Sequence, residues 1–312
     1  MKIIRILLLT LVFISGIAAG KPLQASNTGN DTSSFSFIFM TDIHIMPRQK
    51  ADEGFRKAIN LANSMNPDFV LTGGDLIMDA LGQPFEIADS LYRLYKATSA
   101  GIKAPVYNTI GNHEYFGVYK ESKVSTSHPD YGSKMFERYF GKTYYSFNHK
   151  GWHFIVLNSV GITSTKRYVG KIDDQQMEWI KQDLASVSPN TPIVISSHIP
   201  LISLYTYVFE GNMATNDSAT VVSNGRDVLN LFANHNLKLV LQGHQHFLED
   251  ITYQLNNNTI RFITAGAVCA TWWSGTEKGL EEGFLKINID KSEISTKYID
   301  YKWDAVAPEK TE

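Results

Sequence analysis

The sequence is poor in cysteine, since its 312 residues contain only Cys269. A single thiol cannot close an internal disulfide. The stability of the folded chain must therefore come from its hydrophobic core or from bound metal. Cys269 lies in the apolar stretch TAGAVCATWW. That setting is more typical of a small buried residue than of a reactive thiol.

The sequence also lacks an excess of charge of either sign. Its 29 basic and 31 acidic residues leave a net charge of −2, which creates no long-range field toward nucleic acid or an anionic membrane. We therefore expect no nucleic-acid partner, and an anionic substrate must be held locally. The hydrophobic fraction of 43% is sufficient for a substantial core, and the length allows one large domain or two small ones.

A long hydrophobic run, ILLLTLVFISGIAA, follows Arg5 at the N-terminus. The pattern predicts a secretory signal peptide over residues 1–25, with cleavage after Gly20 or Ala25, and a polar linker over residues 26–34. A transmembrane anchor is the less favoured alternative, because the uncharged run is shorter than the roughly 20 residues that span a bilayer. The mature chain is expected to be periplasmic or secreted, with no membrane span.

From Phe35 onward, apolar runs such as FSFIFM and DFVLTGG alternate with helix-like segments such as ADEGFRKAINLANSM, FEIADSLYRLYKATS and GRDVLNLFANHN. This alternation predicts α/β layers with a largely parallel central region, and the closing strands look antiparallel, which makes the sheets mixed. One domain is expected over residues 35–304, with a tail over 305–312. The long segment 114–142 departs from the pattern, and ordered loops of this length usually cover a site or carry function.

Five apolar runs end in polar side chains of similar chemistry. The residues concerned are Asp42 and His44, then Asp75, then Asn112 and His113, then His198, and finally His244 and His246. Because ligands of open α/β sheets bind at the carboxyl ends of the strands, these five ends are expected to converge. Carboxylate, amide and imidazole ligands without thiolate suit two divalent first-row ions, and such a pair clamps the attacking and leaving oxygens at phosphorus. The alternative is a set of strand-end side chains that cap turns and bind each other.

From about Phe35 to Ala267, the order of these motifs, D-x-H, G-D, G-N-H-E, a lone His and G-H-x-H, resembles that of the calcineurin-like metallophosphoesterases. The resemblance implies a four-layer α-β-β-α sandwich with two mixed sheets flanked by helices. It also implies two metal sites and a metal-bridging hydroxide as nucleophile. The implied ligands are Asp42, His44 and His246 for the first ion, Asp75 as the bridge, and Asn112, His198 and His244 for the second. His113 would contact the phosphate and assist the departing oxygen.

Two departures narrow the subgroup that the sequence resembles. Purple acid phosphatases have a tyrosine ligand three residues after the bridging aspartate, where this sequence has Met78, and their first motif lacks the histidine that is His44 here. The motifs are more similar to those of the bacterial phosphodiesterase branch. They describe the metal centre and not the substrate pocket, so the preference between monoester and diester stays open.

Four further residues are candidates for substrate contacts: Glu114, Tyr115, Tyr205 and Trp272. Glu114 would either orient His113 or be solvated. The aromatic residues of YTYVF and TWW, which include Tyr205 and Trp272, would either stack on an aromatic part of the substrate or pack in the core, and core packing is the more common outcome.

The sequence therefore predicts an exported, dinuclear, metal-dependent hydrolase of a small-molecule phosphodiester or phosphomonoester, with Mn, Fe or Zn as the ions. One alternative is a catalytically silent metal- or ligand-binding surface protein on the same scaffold. Another is a metal-dependent amidohydrolase, which also uses an H-x-H pair, although there the pair belongs to the first strand. The sequence leaves the oligomeric state open.

Overall fold

A computed structural model describes residues 34–255 and 258–305 of the chain. The predicted signal peptide and all of the predicted linker except Ser34 lie outside these residues, as does the predicted tail beyond residue 305. Among the described residues, no helix has the length and apolar composition needed to cross a membrane.

The first sheet has five strands in the order β13-β12-β1-β2-β3. β1, β2 and β3 are parallel to each other, whereas β12 pairs antiparallel with both β1 and β13. The strand bounds are β1 Phe35–Met40, β2 Phe69–Thr72, β3 Val106–Tyr107, β12 Gly283–Asp290 and β13 Glu293–Asp300.

The second sheet has six strands in the order β10-β11-β9-β8-β5-β4. Its four central strands are parallel, and the two edge strands, β10 and β4, pair antiparallel with their neighbours. The bounds are β4 Tyr145–His149, β5 Trp152–Val156, β8 Pro192–Ser197, β9 Asn236–Gln242, β10 Glu249–Leu255 and β11 Asn258–Thr264. A separate hairpin pairs β6 (Val160–Ile162) with β7 (Tyr168–Gly170).

Alternation along the strands divides the apolar side chains between two clusters. Phe37 and Phe39 of β1 pack with Phe154 of β5 and Val194 of β8, so this cluster fills the space between the two sheets. Successive side chains of a strand point to opposite faces, and Ile38 accordingly belongs to the second cluster, which contains the apolar faces of the helices.

The described part of the chain contains six α-helices. Their bounds are α1 Ala51–Ser64, α2 Phe85–Ser99, α3 Lys134–Phe140, α4 Asp174–Ala185, α5 Tyr205–Glu210 and α6 Gly225–Leu231. Buried residues of α1, α2, α4 and α6 belong to the outer apolar cluster together with residues from both sheets. This confirms the predicted four-layer sandwich of two mixed sheets between helices.

The segment 114–142 is not a loop that covers the site. It contains a 3-10 turn, Lys120–Ser122, and helix α3. Arg138 of α3 donates to Asp89 of α2 at 2.8 Å, and Tyr139 donates to the same carboxylate at 2.7 Å. The segment is thus fixed to the outer helical layer, and its length reflects an additional helix.

Candidate metal centre

The five predicted strand ends meet at one edge of the sandwich. β1, β2 and β3 run parallel in one sheet and β8 and β9 run parallel in the other, so their carboxyl ends present side chains to the same region. A cavity of about 350 Å³ opens there. Its walls include His44, Asp75, Asn112, His113, His244 and His246, whereas Asp42 and His198 lie buried behind them.

Two groups of side-chain atoms that could hold a metal ion share Asp75; His113, in the first of them, is the predicted proton donor and not a predicted ligand. In the first, one ligating atom each of His44, Asp75 and His113 lie within 4.8 Å of one another, and the same limit holds for Asp75, His198 and His244 in the second. The Asp75 carboxylate lies 3.6 Å from His44 Nε2 and 3.0 Å from His198 Nε2. Asp75 therefore occupies the position expected of a bridging ligand.

Asp42 and His246 extend the first group, and Asn112 extends the second. His246 Nε2 lies 3.4 Å from Asp42 Oδ1 and 3.1 Å from His44 Nε2, and Asn112 Oδ1 lies 3.1 Å from His198 Nε2. Two imidazole nitrogens and two carboxylate oxygens thus face a common point on one side of Asp75.

Backbone carbonyl groups orient three of the histidine rings. A carbonyl oxygen can only accept a hydrogen bond, so the ring nitrogen that contacts it must carry a proton. In the neutral ring the other nitrogen then keeps its lone pair for a metal. The contacts are His198 Nδ1 to Gly73 at 2.7 Å, His246 Nδ1 to Ala270 at 2.7 Å and His244 Nε2 to Ala219 at 2.9 Å. Metal-binding histidines are typically held in this way, so the side chains present fit a pair of metal ions.

The electrostatics of the centre favour bound positive charge. Burial opposes ionisation of His198, but the charges of Asp75 and Asp42 outweigh it and raise its pKa to about 9. Burial and the neighbouring His198 lower the pKa of His244 to about 4, so this ring is neutral and able to act as a ligand. Burial likewise would raise the pKa of Asp42, but His246 lowers it to about 2, which keeps the carboxylate ionised.

Five of the seven predicted ligands have left-handed backbone conformations. Their φ angles are 52° for Asp42, 44° for His44, 51° for Asp75, 74° for His244 and 47° for His246. Such a conformation costs a non-glycine residue about 1–3 kcal/mol and persists only where the surrounding structure fixes it. Twelve other non-glycine residues of the described chain also have a positive φ, but its occurrence at five of the seven ligands indicates that the fold maintains these turns for a function.

Two glycines allow the turns to approach each other. A Cβ atom at Gly111 would collide with the Asp75 carboxylate, and one at Gly243 would collide with the Thr41 hydroxyl. In the space left open at Gly243, the backbone N–H of His244 donates to Asp42 Oδ2 at 3.0 Å. The glycines thus bring ligands from different strands within reach of one another.

His113 lies on the cavity wall between two carboxylates. Its Nε2 is 3.9 Å from Asp75 Oδ2, and its Nδ1 is 3.4 Å from Asp79 Oδ1. Burial alone would lower the pKa of His113, but the charges of Asp75 and Asp79 raise it above its ordinary value. A raised pKa favours the protonated imidazole, which suits the predicted role as a proton donor. Asp79 was not identified from the sequence, although it follows Asp75 by only four residues.

Replacing Asp79 with asparagine is expected to lower kcat between about 10- and 100-fold, the range found for groups that orient a functional histidine. Loss of the carboxylate charge should also lower the pKa of His113. Because the acid form is lost as pH rises through that pKa, the alkaline limb of the kcat/KM profile should move to lower pH. Metal content should not change. An unshifted alkaline limb would show that Asp79 does not act through His113. The matched control is Asp52→Asn, on the exposed side of α1, which should leave the profile unchanged.

Glu114 does not line the cavity, which corrects its prediction as a substrate contact. It is fully buried, and its carboxylate accepts four backbone N–H groups, from Asp75, Leu76, Ile77 and Gly111, at 2.7–3.1 Å. Burial and the nearby charge of Asp75 raise the pKa of Glu114 to about 7. Its position indicates a structural role, namely holding the turn that carries Asp75.

Replacing Glu114 with glutamine is expected to lower the free energy of unfolding by about 2–4 kcal/mol, because an amide nitrogen cannot accept and leaves buried N–H groups unpaired. Urea unfolding followed by circular dichroism measures this loss. Glu121→Gln, in an exposed 3-10 turn, supplies the control and should change stability by less than about 0.5 kcal/mol. Equal stability of the two variants would contradict the role assigned to Glu114.

Tyr115 also points away from the cavity. Its side chain is buried, and its hydroxyl donates to the Val160 carbonyl at 2.9 Å and accepts from Asn158 Nδ2 at 2.8 Å. The 3-10 turn Asn112–Glu114 explains the difference from His113, because successive side chains leave it in different directions. Tyr115 therefore ties this turn to β6 and is not placed to contact a substrate.

Tyr205 and Trp272 do line the cavity. The Trp272 ring lies over the histidines, with centroid distances of 4.2 Å to His44 and 5.2 Å to His246. Trp273, in contrast, is fully buried, and its indole N–H lies 3.1 Å from the His44 carbonyl. The aromatic candidates thus divide between cavity wall and core. Tyr168, Thr220, Gln245 and Glu277 complete the wall, and no motif in the sequence marked them.

Cys269 is buried beneath the first group of ligands, as expected for a small core residue. Its Sγ lies within 4.8 Å of ligating atoms of His44 and His246. Burial raises the pKa of this thiol, which disfavours the thiolate that would bind a metal.

Comparison with known proteins identifies the family of the chain. The model of the family described as calcineurin-like phosphoesterase matches residues 35–248. The chain therefore belongs to the calcineurin-like phosphoesterase family. A curated relative, the serine/threonine-protein phosphatase CPPED1 of Bos taurus, is 24% identical over 259 residues, which cover 74% of this chain and 77% of the relative.

Solved structures show the same fold. A dimetal phosphatase from Danio rerio has a TM-score of 0.56 at 15% identity, with 84% of this chain and 98% of that chain covered. GAP50, described as the anchor in the inner membrane complex of Plasmodium, has a TM-score of 0.53 at 13% identity, with 86% and 85% covered. Family membership and the phosphatase relative make the chain a metal-dependent phosphoric ester hydrolase.

Proposed function

We propose that the chain is an exported dinuclear phosphoesterase that hydrolyses a small-molecule phosphate ester. The observation that carries the dinuclear assignment is the position of Asp75 in both ligand groups, with histidines oriented by backbone carbonyls on either side. Export rests on the N-terminal sequence, which predicts a cleaved signal peptide.

Two divalent ions bound to these ligands would supply Lewis-acid activation of water and neutralise charge on the phosphoryl oxygens. The protein contributes the remaining chemistry. Water attacks phosphorus and loses one proton to the solvent, the bond from phosphorus to the leaving oxygen breaks, and His113 donates its proton to that oxygen. His113 then regains a proton from the solvent, so the net reaction consumes one water molecule. Asp79, 3.4 Å from Nδ1, would orient the proton-donating ring, and the charge of Asp75 would stabilise its protonated form.

The full set of ligand side chains argues against a catalytically silent binding protein. Such a protein has no need of His113, yet His113 is placed on the cavity wall with Asp79 behind its ring. The amidohydrolase alternative is set aside by the family of the chain. Met78, three residues after Asp75, continues to favour a branch other than the purple acid phosphatases.

The chain from Ser26 onward tests the enzymatic proposal. Elemental analysis should give close to two metal ions per chain. The protein should hydrolyse an aryl phosphate monoester or a bis-aryl diester, and this activity should be abolished by chelation and restored by Mn, Fe or Zn. Two bound metals without turnover of either ester would favour the silent binding protein. Failure to retain any of these metals would contradict the ligand assignment.

Export is tested with the full-length chain expressed in a bacterium. We expect the protein in the periplasmic fraction or the medium, with an N-terminus at Lys21 or Ser26 by protein sequencing. An unprocessed chain that stays in the membrane fraction would instead support the anchor.

A further inference from the structure

The exposed apolar side chains of the described residues are concentrated in one short segment. Five of the eight large ones, Leu204, Tyr207, Val208, Phe209 and Met213, lie within ten residues around α5. Their exposed fractions range from 42% for Phe209 to 93% for Met213. Single exposed apolar residues are ordinary, whereas five within ten residues of the chain are a candidate interaction surface. We call these five residues the α5 patch.

Two members of the α5 patch, Val208 and Phe209, adjoin the wall of the catalytic cavity. Tyr205 of the same helix lines the cavity, and Val208 and Phe209 follow it by three and four residues, which places all three on one helix face. The Tyr205 and Phe209 ring centroids are 4.9 Å apart. A ligand too long for the cavity would therefore extend along α5 and contact an apolar surface there.

Lys278 fixes the edge where the cavity and the α5 patch meet. Its ammonium group lies 5.1 Å from the Tyr205 ring centroid and 5.3 Å from that of Phe209, and it pairs with Glu277, which lines the cavity. This contact holds the exposed rings against the loop that bears Trp272. The apolar surface is thus a built part of the cavity entrance.

The size of the α5 patch argues against a stable second protein copy. At exposed fractions of 42–93%, five side chains of at most about 200 Å² present no more than about 600 Å², whereas a stable interface needs roughly 800 Å² from each partner. Its charge argues against a membrane surface. Residues 204–217 contain Glu210 and Asp217 but no lysine or arginine to attract anionic lipid headgroups, and the cation at the edge of the α5 patch, Lys278, is paired with Glu277. A single alkyl or acyl chain is small enough for this area and requires no positive charge on the protein.

We propose that the substrate is an amphiphilic phosphate ester, whose phosphoryl group lies at the metal ligands while its hydrocarbon chain lies along the α5 patch. The proposal rests on the proposed phosphoesterase function and adds the chemical class of its substrate. The test compares ethyl with dodecyl phosphate as monoesters, and 4-nitrophenyl ethyl phosphate with 4-nitrophenyl dodecyl phosphate as diesters. All concentrations stay below the micelle concentration of the dodecyl compounds.

We expect KM for the dodecyl ester to be at least about tenfold lower than KM for the ethyl ester. Each buried methylene group contributes about 0.8 kcal/mol to binding, so burial of about two of the added groups is enough for a tenfold change. Hydrolysis of the ethyl ester with no gain for the dodecyl ester would overturn the amphiphile proposal and leave the phosphoesterase function intact. No hydrolysis of any ester would contradict the proposed function itself, and the amphiphile proposal with it.

Surface variants separate this role from other uses of the α5 patch. Combining Tyr207→Ser, Val208→Ser and Met213→Ser should reduce the dodecyl advantage to less than about threefold and leave kcat/KM for the ethyl ester unchanged. Val208→Glu alone should act in the same direction, should the triple variant fail to fold. The matched control combines Ile87→Ser with Tyr253→Ser, which are similarly exposed on α2 and β10, and should keep the advantage.

Two further measurements identify the other occupants. The first is sedimentation with vesicles of phosphatidylcholine and phosphatidylglycerol. If the protein sediments with the vesicles, the triple variant does not, and KM shows no dependence on chain length, the α5 patch is a membrane-docking surface. A concentration-dependent dimer that the triple variant dissolves, again without a chain-length effect, would assign it to self-association. Either result would overturn the amphiphile proposal.

Discussion

Replacing Asp75 with asparagine is expected to lower kcat/KM by at least about 10³-fold, because metal-ion stabilisation of transition-state charge supplies several kcal/mol. Asp75 contributes to both ligand groups, so its loss affects both ions. An asparagine has nearly the same shape, but it removes one negative charge and turns an amide group toward the cations. Bound metal should fall from about two ions per chain to one or fewer.

Metal content and fold are measured together for this variant. Elemental analysis after gel filtration gives the metal stoichiometry, and circular dichroism shows whether the sandwich is intact. Asp52→Asn removes one carboxylate from α1, away from the cavity, and should retain both metal and rate. Two tightly bound ions with normal turnover in Asp75→Asn would show that another residue bridges the ions.

Replacing His113 with alanine is expected to separate proton donation from metal binding. His113 touches the cavity but is not required by the proposed ligand set, so the variant should keep its metal. For an alkyl ester, whose departing oxygen needs a proton, kcat should fall by about 10²–10⁴-fold, the usual contribution of a general acid. For a 4-nitrophenyl ester the loss should be much smaller, since that leaving group departs as an anion.

The comparison between the two esters is the internal control for His113→Ala. Added imidazole should partly restore turnover of the alkyl ester, because the substitution leaves space beside Asp79. Full turnover of the alkyl ester by the variant would exclude His113 as the acid. Equal losses for both esters would indicate that His113 binds the phosphate and does not donate the proton.

The sequence predicted the elements of the fold where periodicity is strong. Helix α2 has the bounds of the predicted segment, Phe85–Ser99, because its apolar spacing follows the helical repeat. Helix α6 ends at Leu231, earlier than its predicted segment. The following FANHN contains two asparagines, which favour turns over helix interiors.

The candidate ligands could be located because each follows an apolar strand with a turn-forming glycine or polar residue nearby. The groups that orient them could not. The carbonyls of Ala219 and Ala270 belong to loops, and a backbone carbonyl has no signature in the residue type. Glu114 was misplaced for a related reason: its neighbour His113 suggested a contact in the cavity, whereas burial directed its carboxylate to backbone N–H groups.

The left-handed turns at the metal ligands bear on how this protein could change during evolution. A descendant that no longer needed catalysis would be released from holding residues such as His244 in a conformation that glycine adopts without strain. Glycine or asparagine there would then be favoured by stability itself. Loss of activity in this lineage should therefore begin at the strained turns and leave the two sheets beneath them unaltered.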